Sequence, residues 1–118
     1  MRKLDERLLV EEFRALGVRR GMVVVVHASL SAFGHVEGGA AAVVAALRSA
    51  LGPEGTLAVP AFTPSVADPC TDAMDRDAEA AARARARVPL FRPGMPTEMG
   101  AIPNAVLALP GRLRSAHP

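Results

Sequence analysis

His27, Ser29 and Ser31 follow one another at two-residue intervals in the stretch Met22–Gly39, MVVVVHASLSAFGHVEGG, directly after four consecutive valines. Their side chains offer hydrogen bonds, and Gly34, Gly38 and Gly39 allow a ligand close to the backbone. An alanine-rich helix is predicted after the glycine pair, and the first turn of any helix leaves N–H groups without a partner inside it. A strand, a permissive loop and a helix N-terminus in succession form an arrangement suited to holding an anion by backbone. The stretch is neither G-x-G-x-x-G nor a P-loop, and Ser29 lacks the flanking glycines of a nucleophile elbow. An ordinary βα turn, with Ser29 or Ser31 as local caps, accounts for the same residues. Both readings stand on these residues alone.

Other reactive side chains carry weaker signals. Cys70 reads as an incidental thiol in a polar loop. Between Asp68 and Glu79 the chain places five acids against Arg76. Such a stretch either walls a pocket for a cationic ligand or is a solvated loop. No residue set calls for a metal.

These groups have to be positioned by the elements around them. Leu4, Leu8, Leu9, Phe13 and Leu16 recur at helical spacing with charged residues opposite, and Gly17 follows where a left-handed cap belongs. Met22–His27 is predicted as a strand whose unbroken valines are covered on both faces, as in a parallel sheet between helices. Ala40–Leu51 reads as a helix with Val43, Val44, Leu47 and Leu51 inward. Gly52-Pro53-Glu54-Gly55 has the residue preferences of a type I turn, and Thr56–Pro60 is a second strand. Strand, helix and strand within Met22–Pro60 make a βαβ unit. Beyond Ala61 a polar connection leads to Asp77–Arg87, a short exposed helix or a mobile excursion, whose Ala-Arg end reads as a solvated terminus or a basic arm. Val88–Pro96 holds three prolines and a glycine and is expected to be an extended loop. Thr97 is predicted to cap a helix that carries Ile102, Val106, Leu107 and Leu109 inward, with Pro103 in its first turn. Pro110-Gly111 ends it.

Composition narrows the function classes. A chain of 118 residues suffices for one small domain. The net charge is +2, with Arg scattered along the chain, only four Phe and no Trp or Tyr. Nucleic-acid binding needs clustered cations or stacking aromatics, so it is not expected. A single Cys fits a reducing compartment, and the acidic N-terminal segment is no signal peptide. The longest apolar run is too short to span a bilayer. A cytoplasmic protein without a membrane segment is the expectation.

Several short motifs together resemble one family. They are Leu16-Gly17-Val18-Arg19, Val26–Gly34 (VHASLSAFG), Val36-Glu37-Gly38-Gly39 and Leu51–Leu57 (LGPEGTL). Pro60-Ala61-Phe62-Thr63, Pro96–Gly100 (PTEMG) and Arg114–Pro118 (RSAHP) continue the series nearly to the end of the chain. In order and spacing they are similar to the aminoglycoside N3-acetyltransferases. The resemblance implies an α/β fold with a mostly parallel sheet and flanking helices, here incomplete. Residues 1–118 would be the N-terminal part of a single acetyltransferase-like domain.

The activity implied is transfer of an acetyl group from acetyl-CoA to a ring amine, the 3-amino group of an aminoglycoside. The loop after the first strand would hold the CoA pyrophosphate and pantetheine, which carries over to His27, Ser29, Leu30, Ser31 and Ala32. The Arg-Ser-x-His-Pro motif lies near the cofactor and the catalytic cleft, which carries over to Arg114, Ser115 and His117. Phosphates want backbone N–H groups and an Arg, and a thioester carbonyl wants a donor near its oxygen. His117 is the local candidate for the base that an attacking amine requires. The family's own base, a His with an acidic partner, lies in a segment beyond position 118. The chain by itself is therefore expected to be inactive, as a truncated enzyme. Arg92 and Asn104 stand where acids are expected, which lowers the negative charge on the acceptor side. The alternative is a non-catalytic CoA-binding or interaction remnant, self-associating through an unpaired sheet edge.

Overall fold

Asp5 starts the first helix: its extended backbone ends the preceding segment, and its carboxylate accepts the Leu8 N–H at 2.9 Å. Helix α1 then runs Glu6–Ala15 and closes with Gly17 at φ +102°. The Gly17 N–H donates to Arg14 O and the Val18 N–H to Phe13 O, both at 3.0 Å, which is a complete Schellman pair. The computed structural model describes residues 3–70 and 76–118. In chain order there follow β1 Val23–Val25, a 3₁₀ turn Leu30–Phe33, α2 Gly39–Leu51 and β2 Thr56–Ala58. Then come α3 Pro64–Ala67, α4 Ala78–Ala86 and α5 Ala101–Leu107.

Strands β1 and β2 pair in parallel, with Val23 opposite Thr56, Val24 opposite Leu57 and Val25 opposite Ala58. Helix α2 joins them, so the βαβ order is as expected. Gly52 stops α2, and the turn after it closes through the Gly55 N–H on Gly52 O. A Cβ on Gly55 would lie 2.6 Å from both Cβ and O of Leu51. The close approach of that turn to the helix end therefore requires glycine.

The chain divides into two compact units: Met1–Pro60 with Gly100–Arg112, and Ala61–Met99 with Leu113–Pro118. In the first, Leu9 of α1, Val36, Ala42, Val43, Val44, Ala46 and Leu47 around α2, and Ile102 of α5 form one buried cluster. Val24 and Leu57 point toward partial burial, whereas Val23 is 74% and Val25 62% exposed. The expectation that both strand faces are covered is corrected here. A valine run records that a strand tolerates burial on both sides, and among the described residues the helices cover only one. Leu16, assigned to the apolar face of α1, is 81% exposed for a related reason. It occupies the C-cap, where the backbone is already turning away from the helix's inner face.

The second unit holds α3, α4 and the loops around them. Asp77 caps α4 by accepting the Glu79 and Ala80 N–H groups, and the helix exposes most of its length, as its composition predicts. The predicted start of the last helix at Thr97 is corrected: α5 begins at Ala101, after Gly100 at φ +119°. Thr97 is buried, and its hydroxyl donates to Phe62 O at 2.7 Å while accepting from the Met99 N–H. The hydroxyl closes a local turn on the Met99 N–H, and Gly100, in a backbone conformation no helix continues, separates that turn from α5. Pro103 does fall in the first turn of α5, where its missing N–H costs nothing. The four-residue helix α3 is not announced by its residues, because Phe62–Ser65 reads as the start of a polar connection.

Candidate functional site

Strand β1 hands the chain to the loop through one more ladder bond, Val26 N–H to Ala58 O at 2.9 Å. His27 is exposed, and Ala28 turns back onto the core cluster. Ser29 precedes the 3₁₀ turn in extended conformation, and its carbonyl accepts the Ala32 N–H. Its hydroxyl does not cap that turn. Instead Ser29 Oγ and Ser31 Oγ lie 2.8 Å apart, both exposed, sharing one hydrogen bond. Leu30 and Phe33 pack half-buried against the core, which anchors the turn and leaves the serines and Ala32 outward.

The loop re-enters the fold at Val36, which is buried and forms a parallel bridge with Leu4. The Glu37 N–H donates to Leu4 O at 2.8 Å, and the Glu37 carboxylate meets Lys3 Nζ at 2.9 Å. That contact raises the Lys3 pKa, through the hydrogen bond and then the charge of Glu37. Gly38 at φ +84° and Gly39 at φ +61° then swing the backbone into α2. The N-terminus of this 13-residue helix thus faces the end of a loop bearing two exposed hydroxyls. The loop thus carries two exposed hydroxyls and ends at a helix N-terminus, the two kinds of donor that an anionic ligand uses.

The second unit carries the other expected residues. Arg114 Nη1 donates to Pro93 O at 2.9 Å and also to Met95 O, and Nη2 donates to Ala61 O at 2.9 Å. Its guanidinium carbon sits 5.0 Å from the centre of the Phe91 ring. Ser115 and His117 are exposed, and the His117 ring meets the Phe62 ring edge-on at 6.0 Å. Thr63, 2% exposed, uses both its N–H and its hydroxyl on Pro118 O. Ser65 gives its N–H and hydroxyl to one oxygen of Glu98. Phe62, Thr63, Phe91, Thr97 and Glu98 are not singled out as site residues by sequence reasoning. For most of them the only signal is membership of the Pro-Ala-Phe-Thr and Pro-Thr-Glu-Met-Gly words.

Of the acid-rich stretch, Asp72 and Asp75 lie outside the described residues. Asp68 is paired with Arg85 at 3.2 Å and accepts the Cys70 N–H. The Arg85 hydrogen bond, with the Cys70 N–H next, lowers the Asp68 pKa to about 2. A carboxylate whose folded pKa is depressed contributes stability above its unfolded pKa, near 4, and loses it as the pH falls through its folded value. The Asp68–Arg85 tie should therefore hold at pH 5 and be lost around pH 2. Carbon-detected titration of Asp68 should give a midpoint near 2, moving toward 4 in Arg85→Gln. A midpoint near 4 in the unaltered chain would contradict the pairing.

Residues 25–118 match the family model for aminoglycoside 3-N-acetyltransferase. The chain belongs to this family. It is 41% identical over 115 residues to aminoglycoside N(3)-acetyltransferase III of Salmonella sp, covering 95% of this chain and 39% of that protein. Among solved structures it is similar to the aminoglycoside acetyltransferase AAC(3)-IIb, with a TM-score of 0.81 and 35% identity over 98% of this chain and 43% of that one. A binary complex of AAC-IIIb with CoASH matches at TM-score 0.77 and 30% identity, over 97% of this chain and 42% of that one. The chain spans about two fifths of the length of these acetyltransferases. Among the described residues no helix is long and apolar enough to cross a membrane.

Proposed function

We propose that these 118 residues supply the acetyl-CoA-binding part of an N-acetyltransferase that acts on the 3-amino group of an aminoglycoside. The loop at the carboxyl end of β1 carries this reading. It presents the Ser29 and Ser31 hydroxyls ahead of the α2 N-terminus, in a chain that matches a CoASH-bound acetyltransferase over 97% of its length. Helix N–H groups and hydroxyls would take the phosphates, with His27, Leu30 and Ala32 bordering them. Ser115 and His117, both exposed, are the groups of the second unit assigned to the donor side. The chain is read as the N-terminal part of a single acetyltransferase-like α/β domain acting in the cytoplasm.

Acetyl transfer needs more than a bound donor. An ammonium must lose its proton to attack a thioester, and a paired His or carboxylate ordinarily takes it. Among the described residues, none of His27, His35 and His117 is paired with a carboxylate. We therefore assign donor binding to these residues and leave turnover to a base outside them. Purified 118-residue chain, incubated with acetyl-CoA and kanamycin or gentamicin, is expected to acetylate neither above trace. Clear transfer by this chain would overturn that division.

The exposure of Val23 and Val25 favours one second reading, a CoA-binding piece that associates through its sheet. Sedimentation at rising concentration separates the two, since only this reading expects a dimer.

A further inference from the structure

We infer that Arg114 is a positioning residue, a bracket that fixes the second unit's loops and so the presentation of Ser115 and His117, and not a ligand for CoA phosphates. A guanidinium has five N–H groups in a fixed plane. Two of them, on Nη1, go to Pro93 O and Met95 O, and one on Nη2 goes to Ala61 O. Nε is buried without a partner, so it cannot reach a ligand either. One Nη2 hydrogen remains. The Phe91 ring lies against the guanidinium at 5.0 Å, which helps to fix the plane in which its N–H groups are spent on the three carbonyls.

The three carbonyls come from two separate stretches, Ala61 before α3 and the Pro93–Met95 turn. The same stretches carry the other ties of this unit. Phe62 O accepts from both the Thr97 hydroxyl and the Glu98 N–H, and Thr63 holds Pro118 O. Arg114 therefore sits one residue before Ser115 with its charge spent inward, while Ser115 and His117 face outward. Only the planar fork of an arginine serves three carbonyls at once, and a lysine ammonium concentrates its donors at one point.

Amide exchange in the full chain tests this. Both Arg114→Lys and Arg114→Gln are expected to lower the protection of the Thr63 and Glu98 amides by about tenfold or more, the scale of losing charge-assisted hydrogen bonds. The Val26 and Glu37 amides of the first unit should keep theirs. Unaltered Thr63 and Glu98 protection in Arg114→Lys would overturn the bracket, and so would an equal loss at Val26 and Glu37. A ligand arm rests on the acetyl-CoA reading above. If Arg114 positions, Arg114→Lys weakens acetyl-CoA and acetyl-pantetheine by the same factor. If it holds phosphate, acetyl-CoA alone is affected by the glutamine variant, and the proposal fails. Should the unaltered chain bind neither compound, the CoA reading falls, while the exchange data still decide the bracket.

Discussion

Replacing Ile102 with alanine is expected to destabilise the first unit by about 2–5 kcal/mol, the range for removing a buried aliphatic side chain and leaving a cavity. Ile102 is 1% exposed and sits in the cluster with Leu9, Val43, Val44 and Leu47. The site has little means of collapsing to fill the space. Part of the surrounding helix surface is Ala42 and Ala46, whose single methyl groups cannot swing into a void. Small domains have total stabilities of about 5–15 kcal/mol, so the loss is a large share of what holds α5 on α2. Urea midpoints should fall steeply for Ile102→Ala and only modestly for Ile102→Val, whose expected cost is about 0.5–1.5 kcal/mol. An alanine variant within about 0.5 kcal/mol of the unaltered chain would place Ile102 outside the core.

Gly38→Ala should have the largest effect on the cradle itself. Gly38 holds φ +84°, where a side chain costs about 1–2 kcal/mol. The new methyl would also stand 3.0 Å from the Ala42 Cβ, one turn into α2. Relief has to come from the loop or the helix start, the two elements that the proposed anion site combines. Gly21 offers a matched control, with the same φ of +84° and nothing within 4 Å of the place its methyl would take. Both substitutions should lower stability by about 1–2 kcal/mol. Only Gly38→Ala should also weaken acetyl-CoA binding, by about tenfold for each 1.4 kcal/mol lost at the site. Equal binding by the two variants would detach the α2 N-terminus from the ligand.

Local signals in the chain carried much of this fold. The period of Leu8, Leu9 and Phe13, with Gly17 after them, placed α1 and its Schellman end, because caps and amphipathic faces are written within a few residues. The same holds for Val43, Val44 and Leu47 before Gly52, and the alanine run of α4 showed its helix propensity, though not that Asp77 caps it. What failed depended on distant partners. Thr97 looks like a helix cap, but the turn it closes on the Met99 N–H ends at Gly100, and its hydroxyl also donates to Phe62 O, a bond that no neighbour in sequence announces. The bareness of Val23 and Val25 is equally silent in a run of valines, since a strand does not encode what covers it.

The candidate site divides the same way. Residue types between His27 and Gly39 left two readings open, an anion cradle and an ordinary βα turn, and the structure adds that the Ser29 and Ser31 hydroxyls bond each other and do not cap the 3₁₀ turn. Arg114 was legible only as a cation in a familiar motif. Its three carbonyl partners lie 19 to 53 residues away, beyond the reach of any local pattern.

The central claim is that this chain binds acetyl-CoA through the β1–α2 loop, and calorimetric titration of acetyl-CoA into the 118-residue chain tests it most directly. Saturable heat is predicted, with an affinity that weakens as salt rises because phosphates supply part of the contact. The Gly38→Ala chain should bind more weakly than the Gly21→Ala chain. No heat at millimolar acetyl-CoA, from a chain whose amide spectrum shows it folded, would contradict the account.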